Sequence, residues 1–283
     1  MNYPFGIFSW YGFVLPFDER IILIKEAGFQ ATTLWWEDEN APFRKKKVSM
    51  PRLVCEMGLL LENIHVPYNN SDALWSEQES VRNAIVQCHI EWLYDCAQFG
   101  IPRMVMHLND GANPPAPNRQ GLKSMEKLVQ VAEELQVTIA IENTRRSDYI
   151  TYVLRSIQSD YLGFCFDSSH HWLTNKGNYQ LLKDHGDRLV ATHISDNDGI
   201  EDRHWLPGHG LIDWSEVSRY FPKAYDGCLT LEVYPTVEER KASPQEFLRK
   251  AFQKVSDVQK LIHSSGIGEG SHEKIHCNNS EFR

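Results

Sequence analysis

Segments with the pattern of β-strands and segments with the pattern of helices alternate along this 283-residue chain. Short runs rich in β-branched and aromatic residues, such as 31–35 and 138–142, are each followed by a stretch in which apolar residues recur at helical spacing. Eight such strand segments can be counted. Because a helix separates each strand from the next, we expect the strands to lie parallel.

The spacing of these segments distinguishes two parallel architectures. Between residues 65 and 232 the strand ends follow one another at intervals of about 33 residues, so eight units need roughly 264 residues, as a (β/α)8 barrel does. A doubly wound open sheet would carry a glycine-rich phosphate turn after its first strand, which Gly6 and Gly12 do not form. The sequence therefore predicts an α/β fold, a single (β/α)8 TIM barrel over residues 1–263, with a flexible polar tail at 264–283.

Composition and charge exclude several classes of partner. A net charge of −9 argues against a surface that grips nucleic-acid phosphates. No run approaches 18 apolar residues, so no membrane span is expected. Residues 1–17 lack the basic start and the cleavage site of a signal peptide, and the six cysteines form no CxxC pair. We therefore expect a cytoplasmic protein with reduced thiols, and neither a membrane nor nucleic acid as partner.

Six successive strands end in a residue that can bind a metal ion. These residues are His65, His107, Glu142, Asp167, His193 and Glu232. Each alone has a structural explanation, since Asp167 could cap the next helix and Glu142 could pair with Arg145 or Arg146. Barrel active sites are built where the carboxyl ends of the strands meet, however, and chance rarely puts such residues at all six positions. The pattern predicts a metal site at the C-terminal ends of the strands.

The balance of oxygen and nitrogen ligands bears on the metal. One set combines three carboxylates with one imidazole: Glu142, Asp167, His193 and Glu232. That balance favours a hard cation such as Mn²⁺ or Mg²⁺, with Co²⁺ or Zn²⁺ also compatible. The remaining candidates would add the nitrogens that a zinc cluster prefers: His65, His107, His170, Asp202 and His204. Trp10, Trp35 and Trp36 lie near the first two strand ends, where they could pack against a ligand or in the core.

Five motifs resemble the xylose isomerase-like barrel superfamily. They are Ile141-Glu-Asn143, Phe166-Asp-Ser-Ser-His170, Thr192-His-Ile-Ser-Asp196, His204-Trp-Leu-Pro-Gly-His-Gly210 with Ile212-Asp-Trp214, and Leu231-Glu232. The resemblance spans residues 5 to 260 and is more specific for the superfamily than for a substrate. This superfamily contains sugar and sugar-phosphate isomerases and epimerases, and also the endonuclease IV type of apurinic-site nuclease.

Resemblance to the ketose 3-epimerase branch implies one divalent metal ion held by Glu142, Asp167, His193 and Glu232, with His170 touching substrate oxygens. A metal chelated by adjacent carbonyl and hydroxyl oxygens acidifies the C–H between them and stabilises an enediolate. Glu142 and Glu232 would then remove and return the proton. This implies a metal-dependent isomerase or epimerase of a small-molecule sugar or sugar phosphate. Homodimers and homotetramers are common in this branch.

Resemblance to the endonuclease IV branch implies a different enzyme, a zinc-dependent abasic-site phosphodiesterase with three zinc ions and nine ligands. All nine ligand types have a match here: His65, His107, Glu142, Asp167, His170, His193, Asp202, His204 and Glu232. Asp202 is the match that favours the nuclease. The first two strand regions show little resemblance to it, and the basic residues near the site are few: Arg145, Arg146, Lys176 and Arg203. We therefore expect the isomerase or epimerase, with the nuclease as the alternative.

Overall fold

The computed structural model describes residues 3–265 and contains one eight-stranded parallel sheet. Its strands are β1 (Phe5–Phe8), β2 (Ala31–Trp35), β3 (Leu60–His65), β4 (Arg103–His107), β5 (Thr138–Glu142), β6 (Leu162–Asp167), β7 (Leu189–His193) and β8 (Leu229–Leu231). Strands that are neighbours in sequence pair from β1 to β7, and β1 also pairs with β8, which leaves β7 and β8 as the two edges. Ile194 joins the remaining two edges, since its N–H donates to Thr230 O at 2.8 Å and its carbonyl accepts from Glu232 N at 3.2 Å. The predicted (β/α)8 TIM barrel is confirmed.

Helices connect the strands around the outside of the barrel. They are α1 (Phe17–Glu26), α2 (Met50–Glu56), α3 (Glu79–Phe99), α4 (Arg119–Leu135), α5 (Asp148–Ser156), α6 (Ser168–Asn175), α7 (Gln180–His185), α8 (Trp214–Tyr220) and α9 (Pro244–Ser265). None of these helices is both long and apolar enough to cross a membrane. Since α9 continues to Ser265, it passes the expected end of the barrel at residue 263. The rest of the expected tail, 266–283, lies outside the described residues.

Strand alternation places the candidate ligands inside the barrel. On β5, Ile139 and Ile141 pack in the large outer core, whereas Ala140 belongs to a small inner cluster. Successive side chains of a strand point to opposite faces, so Glu142 shares the inner face of Ala140. The other members of the inner cluster also lie two residues before a candidate ligand: Val105, Cys165 and Ala191 precede His107, Asp167 and His193. Strand period alone therefore aims four candidates into one space.

The spacing of apolar residues predicts a helix over residues 44–57, but the helix in the structure is shorter. It begins at Met50, after a 3₁₀ turn at Lys47–Ser49. Lys45 instead pairs antiparallel with Glu39, with backbone hydrogen bonds of 2.8 and 3.2 Å in the two directions. Pro51 lies in the first turn of α2, where its missing N–H costs no helical hydrogen bond. This loop after β2 forms one side of the cavity described next.

Candidate metal centre and substrate cavity

A cavity of about 630 Å³ opens at the C-terminal ends of the strands. Seven of the nine candidate residues line it: His65, His107, Glu142, His170, Asp202, His204 and Glu232. The other two, Asp167 and His193, are fully buried and contact members of the lining. The structure thus brings all nine sequence candidates together at one face of the barrel.

Glu142 lies at the centre of this arrangement because each of its oxygens contacts two imidazoles. Oε1 lies 3.1 Å from His193 Nδ1 and 3.3 Å from His170 Nδ1. Oε2 lies 2.8 Å from His65 Nε2 and 3.1 Å from His107 Nε2. Burial raises the pKa of the Glu142 carboxyl, but the charges of and hydrogen bonds from these imidazoles outweigh it. The net pKa lies well below its ordinary value, so Glu142 is held as a carboxylate.

Four residues offer one ligand atom each within 4.8 Å of one another, and we call them the floor cluster: Glu142, Asp167, His193 and Glu232. His193 Nδ1 joins the two glutamates, since it lies 3.1 Å from Glu142 Oε1 and 3.2 Å from Glu232 Oε2. Burial, together with the carboxylate of Glu142, raises the pKa of Asp167 to about 7, although His170 acts in the opposite direction. Three carboxylates in so small a buried volume are repulsive unless a cation joins them.

Asp167 both caps a helix and contributes to the floor cluster. Its Oδ1 accepts from the His170 N–H at 2.6 Å and so caps α6. Its Oδ2 is buried and has no hydrogen-bond partner among residues 3–265. Asn143 fixes the backbone of Asp167, since its side chain accepts from Asp167 N and donates to Asp167 O, both at 2.8 Å. One oxygen therefore serves the fold, and the other is left for a ligand.

The second group lies nearer the cavity mouth, and we call it the rim triad: His170, Asp202 and His204. Asp202 Oδ2 lies 3.0 Å from His170 Nε2 and 3.1 Å from His204 Nε2. Burial lowers the pKa of His204, but the carboxylates of Glu232 and Asp202 outweigh it and raise the pKa to about 9. His204 has a left-handed backbone with φ of 50°, uncommon for a residue other than glycine. Because His170 Nδ1 faces Glu142, His170 connects the rim triad to the floor cluster.

Aromatic rings form part of the cavity wall. The Trp35 indole stacks on His65 with ring centroids 5.2 Å apart, and Tyr68 stacks on His107 at 4.5 Å and 8°. Trp10 is 38% exposed and lines the same cavity. Trp36 is instead buried in the core, where its indole N–H donates to Asp95 at 2.7 Å. Of the three tryptophans singled out in the sequence, two therefore face the cavity.

Sequence reasoning assigned no role to Asn143, Tyr68 and Asp196. Asn143 and Asp196 each lie in one of the five motifs, which was the signal available in the sequence. Tyr68 carried no such signal, because it lies in a loop three residues after His65. Its position beside His107 depends on how that loop folds back over the strand end.

Comparison with known proteins places the fold and the site in context. A family model described as the xylose isomerase-like TIM barrel matches residues 21–251. An uncharacterized protein of Sinorhizobium fredii is 28% identical over 231 residues, which cover 70% of this chain and 74% of that protein.

Two solved structures resemble the chain over nearly its whole length. An L-ribulose 3-epimerase aligns with a TM-score of 0.76 at 15% identity, covering 96% of this chain and 100% of the epimerase. A D-tagatose 3-epimerase-like protein aligns with a TM-score of 0.72 at 19% identity, covering 93% and 99%. At such identities the likeness is one of fold.

Proposed function

The chain belongs to the xylose isomerase-like TIM-barrel family, and from that premise we propose that it is a divalent-metal-dependent isomerase or epimerase of a small-molecule sugar or sugar phosphate. The floor cluster carries this proposal: three carboxylates and one imidazole with their ligand atoms within 4.8 Å of one another. Similarity in fold to an L-ribulose 3-epimerase and a D-tagatose 3-epimerase-like protein supports a sugar as substrate.

The residues of the floor cluster fit a divalent cation. Asp167 Oδ2 is buried without a hydrogen-bond partner, and the raised pKa of Asp167 reflects its burial beside Glu142. The three carboxylates of the cluster repel one another. A cation held by Glu142, Asp167, His193 and Glu232 would offset this repulsion. This ligand balance suits Mn²⁺, Mg²⁺ or Co²⁺, and Zn²⁺ is also compatible.

The two glutamates of the floor cluster are proposed to move the proton. A bound divalent ion would polarise the carbonyl of the sugar and so acidify the adjacent C–H. Glu142 comes from β5 and Glu232 directly follows β8, and both line the cavity. Glu142 is held as a carboxylate, the form that accepts a proton. One glutamate would take the C–H proton, and the other, in its protonated form, would donate its own proton to the enediolate. Donation to the opposite face of the same carbon would invert that carbon, and donation to the neighbouring carbon would move the carbonyl.

Hydrogen exchange tests this proposal directly. The metal-loaded protein is incubated in deuterated water with a panel of ketoses and ketose phosphates, and incorporation of deuterium at carbon is followed by NMR. We expect incorporation next to the carbonyl of at least one sugar, together with formation of an isomer. Absence of exchange across the panel would count decisively against the proposed function.

The rim triad favours a second candidate function, a zinc-dependent abasic-site phosphodiesterase. Together with His65, His107 and the floor cluster it completes the nine ligand types of the endonuclease IV branch at one face of the barrel. No described residue of the cavity lining is a lysine or arginine, however, and nucleic-acid surfaces depend on such cations. Incision of a duplex with one abasic site, assayed beside an undamaged duplex, would favour the nuclease.

A further inference from the structure

We infer that the cavity takes a neutral sugar that carries no phosphate group, an inference that rests on the proposed function and narrows it. No described residue of the lining is a lysine or an arginine, whereas six are acidic: Glu37, Asp38, Glu39, Glu142, Asp202 and Glu232. The two lining imidazoles at the mouth, His170 and His204, both contact the carboxylate of Asp202. A phosphate ester carries about 1.5 to 2 negative charges at neutral pH. Like charges repel one another more strongly near a protein surface than in bulk water. Unless a cation stands close by, this lining disfavours an anionic substrate.

Glu37, Asp38 and Glu39 follow β2 in the cavity wall, and the cations that contact two of them are already paired. Arg20 is fully buried, pairs with Glu39 and donates to Ser9 O at 2.8 Å. Lys46 Nζ lies 2.7 Å from Asp38. Glu37 accepts from the indole N–H of Trp35 at 2.6 Å and has no ion pair among the described residues. Glu37 therefore keeps its negative charge, and Arg20 and Lys46 are both paired with carboxylates and so are not spare for a phosphate.

Backbone N–H groups are the other usual phosphate ligands, and barrels commonly supply them from the loops after the seventh and eighth strands. In this chain a carboxylate from within the loop after β7 accepts the hydrogen bonds of such N–H groups. Asp196 is fully buried and accepts four hydrogen bonds, from the backbone N–H of Asn197 (2.9 Å), Gly208 (2.8 Å) and Ile212 (3.1 Å) and from the indole of Trp214 (3.1 Å). The loop after β7 thus carries its own anion.

The adjoining turns follow the same pattern. Asp213 caps α8 by accepting from Ser215 N and Glu216 N at 2.9 and 3.2 Å. After β8, Glu239 accepts from both the backbone N–H and the hydroxyl of Thr236 at 3.0 Å. Internal carboxylates therefore satisfy N–H donors in both loops where a phosphate would be expected to bind.

Arg145 is the cation that requires separate consideration. It is exposed and lines a second cavity of about 660 Å³, which shares His170 and Asp202 with the first. Asp110 and Glu201 line that second cavity as well. The carboxylates there outnumber the single guanidinium, so this space does not favour a dianion either.

Paired ligands test the inference separately from catalysis. Binding of D-fructose, D-psicose, D-sorbose and D-tagatose to the metal-loaded full chain is compared by calorimetry with binding of their 6-phosphates. We expect at least one free ketose to bind about tenfold or more tightly than its own 6-phosphate. Tighter binding of a 6-phosphate, or no binding of any free ketose, would overturn the inference. A preference for the free ketose without deuterium exchange would instead leave the inference standing and remove the proposed isomerase function.

Three variants locate the cause of the preference. Glu37→Lys puts a cation in the cavity wall and should reduce the preference for the free ketose over its 6-phosphate about fivefold. The matched Glu37→Gln only removes a negative charge and should reduce this preference less. Arg145→Gln should leave the ratio unchanged. If Arg145→Gln weakens binding of the 6-phosphates alone, the phosphate binds in the second cavity and the inference is wrong.

Discussion

The floor cluster and the rim triad are in contact through His170, a member of the triad, but they are built in different ways. Glu142, Asp167 and His193 are strand residues with side chains at most 1% exposed. The rim triad comes from α6 and the loop after β7, and its side chains are 15–29% exposed. Strand register places Asp167 beside His193, whereas the loop is held by the internal hydrogen bonds of Asp196. A buried, strand-built set is suited to fix a metal and move a proton, and a loop-built set is suited to contact substrate.

The largest expected effect is that of Glu142→Gln, which keeps the shape of the side chain but removes its capacity to accept a proton. Deuterium exchange into the sugar should fall by about 10²- to 10⁴-fold, the range typical of a general acid or base. The circular dichroism spectrum should be unchanged, since the amide can still accept from His65 and His107. Exchange at a wild-type rate would remove Glu142 from the mechanism.

A smaller effect is expected for Asp167→Asn, which separates the two roles of this residue. The amide oxygen can still accept from His170 N, so the cap of α6 persists and unfolding free energy should change by less than about 1 kcal/mol. The amide is a poorer ligand than a carboxylate, so affinity for Mn²⁺ should drop by about tenfold or more. Both values are obtained by metal titration and denaturant unfolding. Asp167→Ala is the control, because it removes ligand and cap together and should also lose stability.

The rim triad should make the metal-free protein sensitive to alkaline pH. In the folded protein His204 keeps its proton up to about pH 9, against an ordinary pKa of 6.5. The resulting stabilisation is complete below pH 6.5 and is lost as the pH rises through about 9. Urea unfolding of chelator-treated protein should therefore show a contribution of about 1–3 kcal/mol that disappears over this interval. Asp202→Asn should reduce that contribution, and an unchanged pH profile in this variant would contradict the assignment.

The smallest effect is expected for Asp202→Ala if the protein is an isomerase. Asp202 contacts the two rim histidines but does not belong to the floor cluster. Deuterium exchange should therefore fall by less than about tenfold, and the metal content should stay the same. A three-metal nuclease would instead lose a ligand and with it most of its activity. Metal content per chain, measured beside the wild type, separates the two results.

Much of the floor cluster could be anticipated from the sequence, because strand period and strand ends are encoded locally. Side chains alternate between the two faces of a strand, so a residue two positions beyond an inner-face residue also points inward. This rule places four candidates inside the barrel: His107, Glu142, Asp167 and His193. The sequence could not show that Asp167 uses one oxygen as a cap and leaves the other free. The helix-cap explanation applies to Oδ1, and the metal-ligand explanation applies to Oδ2.

The loops were less predictable because tertiary contacts determine their shape. The position of His204 depends on a left-handed backbone and on the hydrogen bonds that Asp196 accepts from residues 12 and 16 positions further along the chain. Helix spacing predicted a start near residue 44, but pairing of Lys45 with Glu39 delays α2 to Met50. Trp36 is adjacent to Trp35 in sequence yet points into the core, where Asp95 accepts from its indole.

Metal content tests the central claim most directly, the claim that the floor cluster holds one catalytic cation. The full chain is purified without chelator and analysed by inductively coupled plasma mass spectrometry against protein concentration. We expect about one divalent ion per chain, and a loss of that ion in Asp167→Ala but not in Asp202→Ala. About three zinc ions per chain, reduced in both variants, would contradict the account and favour the abasic-site nuclease.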